Sequence, residues 1–284
     1  MKSFIVTTLT LVAITLSASA AKVAKIDVML LTGKSDKHHN WEVMSKGVEQ
    51  ILQRNESFEV EVVKFTDTDS FKPKFKGYDV IIMNLNDVTW NEKTKLKFEK
   101  YVKCGGGVVI IHEADNAFAD WEEYNRIIGL GGWGGRTKES GPYYYYKDGE
   151  MVRDSISDGR SGHHGRAGNF TITVRDPEHP IMKGLPASWL HYQDELYGDM
   201  RGPALEMEVL ATAFSQKATG GTGKEEPVLF TVKYGKGRTF HSVLGHTSAK
   251  NGVISGGSIE NDGFQTTLLR GVEWAATGEV SSNL

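Results

Sequence analysis

The chain's nine histidines sit mostly in short polar clusters that follow apolar runs. "TGKSDKHHNW" (32–41) places His38 and His39 behind "IDVMLL" (26–31), with Trp41 closing the loop. "VVIIHEAD" (108–115) runs out of apolar residues at His112 and Glu113, and "SVLGHTS" (242–248) does the same at Gly245 and His246. "SGHHGRAG" (161–168) holds a second adjacent pair, His163 and His164. The densest polar signature is "HYQDELYGD" (191–199), with His191, Asp194, Glu195 and Tyr197. Near neutral pH an imidazole serves as general base, general acid or metal ligand, and a carboxylate beside it shares those tasks. Successive side chains of an extended segment point opposite ways. Each histidine pair therefore contributes one member at most, and of Asp194 and Glu195 one enters a site while the other anchors a loop.

Bland readings compete with these. His112 suits a core histidine bonded to a carbonyl, and His163 and His164 suit an exposed loop. "HYQDELYGD" suits a solvated acidic turn. His179, in "DPEHP" (176–180), is balanced between a turn-bonded role and a site, whereas His241 reads as packing. The tyrosines of "GPYYYYKDGE" (141–150) form either a hairpin edge or, with Trp41, Trp90 and Trp133, a stacking wall for sugar rings.

The elements between these clusters alternate strand and helix signals. "IDVMLL", "FEVEVVKF" (58–65), "YDVIIMNL" (78–85) and "GVVIIHE" (107–113) read as strands, three of them buried on both faces. Residues 39–55, with Asn40 as cap, and 91–105, ended by Gly105, carry apolar residues at helical spacing. This βαβ rhythm predicts a flavodoxin-like, doubly wound, mostly parallel α/β sheet with helices on both faces. In such a sheet the loops after the strands meet at one edge, where ligands bind. From Gly131 to Gly168 the rhythm breaks into Gly-, Tyr- and His-rich sequence, expected to elaborate one edge and cover a site. Strands follow at 169–176 and 205–214, then a hairpin at 227–245 and a closing helix at 262–278.

Residues 1–20 read as an export signal: Lys2, the apolar stretch Phe4–Leu16, and "SASA" with cleavage after Ala20. Residues 21–284 then form a single domain, periplasmic or secreted, with no membrane segment after cleavage. Cys104 is the only cysteine, which excludes an internal disulfide and reads as a buried or half-buried thiol. With 33 basic against 36 acidic residues there is no electrostatic footprint for nucleic acid. No fixed-spacing zinc motif, dinucleotide fingerprint or G-x-S-x-G elbow is present.

"HHNW", "GGGVVIIHEA", "WEEYNRIIGL", "DPEHPIMKGLP", "DELYGD" and "GKGRTFHSVLGHT" occur in the order seen in the ThuA-like (trehalose-utilisation) family, which this chain resembles over about residues 25 to 277. The resemblance implies the class I glutamine amidotransferase-like fold. Amidotransferases of that fold carry a nucleophilic cysteine after the strand that here ends in "IIHEAD", so amidotransferase activity is not expected. The resemblance further implies sugar metabolism through 3-keto intermediates made by a partner oxidoreductase. A 3-keto group acidifies the proton at C2, a His or Glu base removes it, and the enediolate needs donors or a cation.

The candidate catalytic residues are His112, Glu195, Asp194 and His246. Those for substrate binding are His39, Trp41, Glu113, His163 and Tyr197. A divalent metal is the candidate cofactor, with His39, His112, His163 and His246 as its candidate ligands. The ligand expected is a small sugar. The leading expectation is an isomerase or lyase of a 3-keto-disaccharide or glycoside. The alternatives are a non-catalytic carbohydrate-binding accessory protein and a metal-dependent hydrolase of another ester or amide. His112→Ala is expected to abolish turnover with thermal stability nearly intact.

Overall fold

A computed structural model describes residues 25–247, 249–250, 253–254 and 257–281. The expected export signal lies outside the described residues. Strands β1 (Ile26–Thr32), β2 (Phe58–Lys64), β3 (Val80–Met83) and β4 (Gly107–Ile111) alternate with helices α1 (Trp41–Leu52) and α2 (Glu92–Lys103). Asn40 and Asn91 cap the two helices, their side chains accepting from the amides of Val43 and Thr94. After α3 (Glu122–Ile128) come β5 (Tyr143–Lys147), β6 (Glu150–Asp154), the two-residue β7 (His163–His164), β8 (Gly168–Val174), β9 (Ser188–Asp194) and the short β10 (Tyr197–Gly198). The chain continues through β11 (Met207–Phe214), β12 (Glu225–Tyr234) and β13 (Gly237–Ser242) and closes on α4 (Asp262–Thr277).

The main sheet runs β2-β1-β3-β4-β13-β12-β11-β8-β9. Its first five strands pair in parallel. With β13 as fifth strand this is the flavodoxin-like order 2-1-3-4-5, and the order reverses between β1 and β3. From β13 onward every pairing is antiparallel. The sheet is therefore mixed, the parallel half holding the helices and the antiparallel half the elaborated edge.

Alternation along β1 divides the core. Val28 and Leu30 pack with Met44 and Val48 of α1 and Phe264 and Val272 of α4, whereas Met29 and Leu31 face Phe98 and Val102 of α2 and Ile127 of α3. Helices thus cover both faces, which is why the parallel strands are apolar on both sides. Trp90 is sealed in the second of these cores, against Phe71, Phe98, Phe118 and Trp121. Cys104, expected to be buried or half-buried, is exposed at the end of α2, because the helix stops there and Gly105 (φ 118) turns the chain into β4 at the sheet's opposite edge.

The irregular stretch before β8 is held by two buried arginines. Arg136 donates to the carbonyls of Gly132, Asn116 and Ala117, and Arg201 to those of Gly141 and Ser157. The tyrosine run is the hairpin β5–β6, turning at Asp148 and Gly149 (φ 52 and 93), the Asp-Gly pair that two-residue turns favour. Among the described residues no helix is long and apolar enough to cross a membrane.

Candidate functional site

The carboxyl ends of β1, β4 and β13 converge as the topology requires. β1 delivers the loop that carries Asp36 and His39, β4 hands over directly to His112, and the chain leaving β13 passes through Val243 to His246. Ring centroids of His39, His112 and His246 stand 5.1–5.4 Å apart, all edge-on. Glu195, just past β9, faces this triangle: its Oε2 lies 3.2 Å from His246 Nδ1 and 4.0 Å from His112 Nε2. Tyr197 roofs the group, its ring stacked on His112 at 4.1 Å and its hydroxyl 2.9 Å from His39 Nε2. Trp133 packs edge-on to Tyr197 at 4.6 Å and 5.8 Å from the His164 ring.

Two of the three imidazoles are oriented from behind. His112, 1 % exposed, donates from Nδ1 to the Val243 carbonyl at 2.7 Å, which turns its Nε2 inward with no hydrogen-bond partner. His112 also sits in the left-handed backbone region (φ 42), an unusual conformation for a residue with a side chain. His39 Nδ1 is 2.9 Å from Asp36 Oδ1 and 3.5 Å from Glu113 Oε2. Glu113, 3 % exposed, accepts from the Ser35 hydroxyl at 2.7 Å. Gly245 lets the β13 loop pass over β4: its φ is 134, and a Cβ there would lie 2.8 Å from Ile111 and 3.2 Å from His112.

Asp194 is fully buried and accepts from the amides of Gly245 (3.0 Å) and His246 (2.9 Å), from His191 Nε2 (2.8 Å) and from the Ser258 hydroxyl. It faces away from the pocket and meets the pocket residues through the backbone amides of His246 and Glu195. The candidate catalytic pair therefore divides as strand alternation requires: Glu195 faces the histidines and Asp194 holds the loop that brings one of them.

Burial governs the charges. It lowers the imidazoles of His39 and His246, the latter to about 4, and takes His112 well below the ordinary range, so all three are neutral at pH 7. The same desolvation raises Glu113 to about 8 and raises Glu195, which the neighbouring His164 partly offsets. For Asp194 burial pulls upward too, but the bond and charge of His191, with His112 and Ser258 behind, outweigh it and hold the carboxyl below its ordinary range.

Several candidates lie elsewhere. His163 is exposed and its Nε2 bonds the Gly220 carbonyl at 2.6 Å; it is His164, 3.9 Å from Glu195, that lies beside the pocket. Trp41 has its ring beneath the Lys64 ammonium at 5.4 Å, on the β2 side. His179 is buried against Trp274, its Nδ1 accepting from the Ile181 amide, a turn role. His241 is buried between Asp115 and the Ile128 carbonyl. The tyrosine faces are covered by cations: Arg201 over Tyr143 at 3.4 Å, Arg175 over Tyr146 at 3.9 Å, Lys224 over Tyr145 at 4.9 Å. Sequence reasoning missed Asp36, which orients His39, and Ser258, which backs Asp194. Asp36 was within reach as the acid three residues before His39 in the same loop. The complete burial of His112 and its donation to Val243 correct the expectation that His112→Ala spares stability.

The ThuA family model, described as "Trehalose utilisation", matches residues 27–275. The chain is similar to a ThuA-like protein of Parabacteroides merdae at 45 % identity and TM-score 0.86, over 92 % of this chain and 93 % of that one. A ThuA-like protein of Bacteroides uniformis, 19 % identical with TM-score 0.59 over 94 % of this chain and 97 % of its own, shares the fold. No match is found among curated proteins. With a match spanning both the parallel half and the elaborated edge, the chain belongs to the ThuA (trehalose utilisation) family.

Proposed function

We propose that this protein is an exported enzyme of sugar metabolism that removes the C2 proton of a 3-keto-disaccharide or 3-keto-glycoside, leading to isomerisation or to cleavage of the glycosidic bond. The observation that carries this reading is Glu195, a carboxylate of raised proton affinity set against three neutral imidazoles at the carboxyl edge of the sheet. Glu195 is the base. Its partial burial raises its affinity for the proton it must take. The Tyr197 hydroxyl stands where it can donate to the developing enediolate oxygen, and Trp133 offers an apolar wall for a sugar ring. A substrate of this class must be supplied by an oxidoreductase that converts the 3-hydroxyl to the ketone.

Proton NMR of the protein with a 3-keto-disaccharide in D2O tests the reading. Deuterium entering at C2, with or without bond cleavage, is the expected result. Broadened sugar lines with no exchange would return the protein to a carbohydrate-binding accessory role.

A further inference from the structure

We infer that His39, His112 and His246 form a binding site for one divalent transition-metal ion of the zinc class, with Glu195 across its fourth position. One donor atom from each of these four residues lies within 4.8 Å of every other. A tetrahedral zinc site sets its nitrogen donors roughly 3.3 Å apart, as bonds of about 2.0–2.1 Å require. The cluster therefore needs an inward adjustment of about 1 Å, within side-chain rotation for His246 and Glu195 at the loop ends.

The independent sign is the direction of the lone pairs. His112 is 1 % exposed, and its single N–H is committed to the Val243 carbonyl, so Nε2 turns a lone pair inward with nothing to receive it. His246 Nδ1 is likewise without a hydrogen-bond partner, although Glu195 Oε2 is 3.2 Å away. His39 commits its Nδ1–H to Asp36, leaving Nε2 as acceptor for the Tyr197 hydroxyl. Three acceptors and a carboxylate thus converge with one hydroxyl donor between them. Unpaired buried acceptors are costly, and a cation satisfies all of them at once. The partners behind the rings, a backbone carbonyl for His112 and a carboxylate for His39, are those that fix and strengthen metal-bound imidazoles. Imidazole with carboxylate suits zinc, cobalt or nickel better than calcium or magnesium.

The inference concerns the pocket of the proposed reaction but stands without it, because binding is read without turnover. The full chain is stripped with EDTA, dialysed and titrated with Co2+, following visible absorption and, by calorimetry, stoichiometry. The expected result is one Co2+ per chain with the intense visible bands of a low-coordinate site, displaced by Zn2+. His246→Ala and Glu195→Gln, both at partly accessible positions, should weaken binding at least tenfold with the circular dichroism spectrum unchanged. His38→Ala and His163→Ala should bind like the parent. The inference is overturned by no binding to the parent protein, or by binding that survives His246→Ala and is lost with the exposed histidines. Metal binding without exchange at C2 would sink the sugar reaction and leave the site; exchange at C2 by a protein that binds no metal would do the reverse.

Discussion

Asp194 accepts the backbone N–H of His246 at 2.9 Å across a separation of 52 residues. Its neighbour Glu195 meets the same histidine at the ring, 3.2 Å away. One acidic pair thus fixes both the loop and its side chain, and the two carboxylates must fail differently when changed. Asp194→Asn leaves buried donors unsatisfied and removes the charge beside His191, at a cost of about 3 kcal/mol. A clear fall in the denaturant midpoint is expected, and an unchanged midpoint would refute this anchoring role. Glu195→Gln should keep the midpoint while lowering kcat by about 10²–10⁴ if Glu195 is the base.

His112 combines left-handed backbone with a buried hydrogen bond. Alanine there bears the strain of φ 42 and leaves the Val243 carbonyl unpaired, together about 2–3 kcal/mol. Asparagine tolerates this conformation and should restore most of that stability without restoring activity. Equilibrium unfolding of both variants checks the order. Equal stability of His112→Ala and the parent would contradict it.

The aromatic residues separate into two groups. Trp133 borders the pocket, whereas Tyr145 lies under Lys224. Trp133→Ala is expected to raise KM for a sugar substrate about tenfold, a loss of roughly 1.4 kcal/mol. Tyr145→Ala should change KM less than about twofold. A larger effect from Tyr145 would relocate the sugar to the hairpin.

Glu226 gives the protein a pH dependence from outside the histidine cluster. It is 1 % exposed, and burial raises its carboxyl to about 7, against the bonds it accepts from Thr222 and the Asp199 amide. Its folded-state affinity for the proton exceeds the unfolded value of 4.5, so the folded state gains when Glu226 is protonated. That contribution is fully present below pH 4.5 and fades as pH rises through about 7, by on the order of 3 kcal/mol. Glu226→Gln should flatten this part of the stability profile, measured by urea unfolding between pH 4.5 and 8. A parallel slope in the variant would assign the effect to other groups.

Much of this arrangement could be read in the sequence for a topological reason. His39, His112 and His246 each follow a two-side-buried parallel strand, and such strands end at one edge whatever fills the loops. That one of Asp194 and Glu195 would enter the site and the other anchor a loop was legible from alternation; that Glu195 is the one was not, because β9 ends at Asp194. Which member of "HH" at 163–164 comes near the pocket was not, because β7 is two residues long and its face depends on pairing with β10, which no local pattern encodes. The tyrosine run misled in a similar way: alternation gave the hairpin, but the covering arginines and lysine come from remote segments. The antiparallel β12–β13 pair was legible as the hairpin at 227–245, but its continuation through β11, β8 and β9 was not, since no local pattern encodes those pairings.

The four side chains of the cluster come from the loops after β1, β4, β9 and β13, so no contiguous stretch of chain holds more than one of them. Loop closures of that span are the slow and late events of folding. Asp194 cannot engage the His246 amide until β9 has been added to the far edge and the chain has returned past β13. The cluster is thus unassembled on any chain still being synthesised or stalled partway. Its four side chains meet only in the finished sheet.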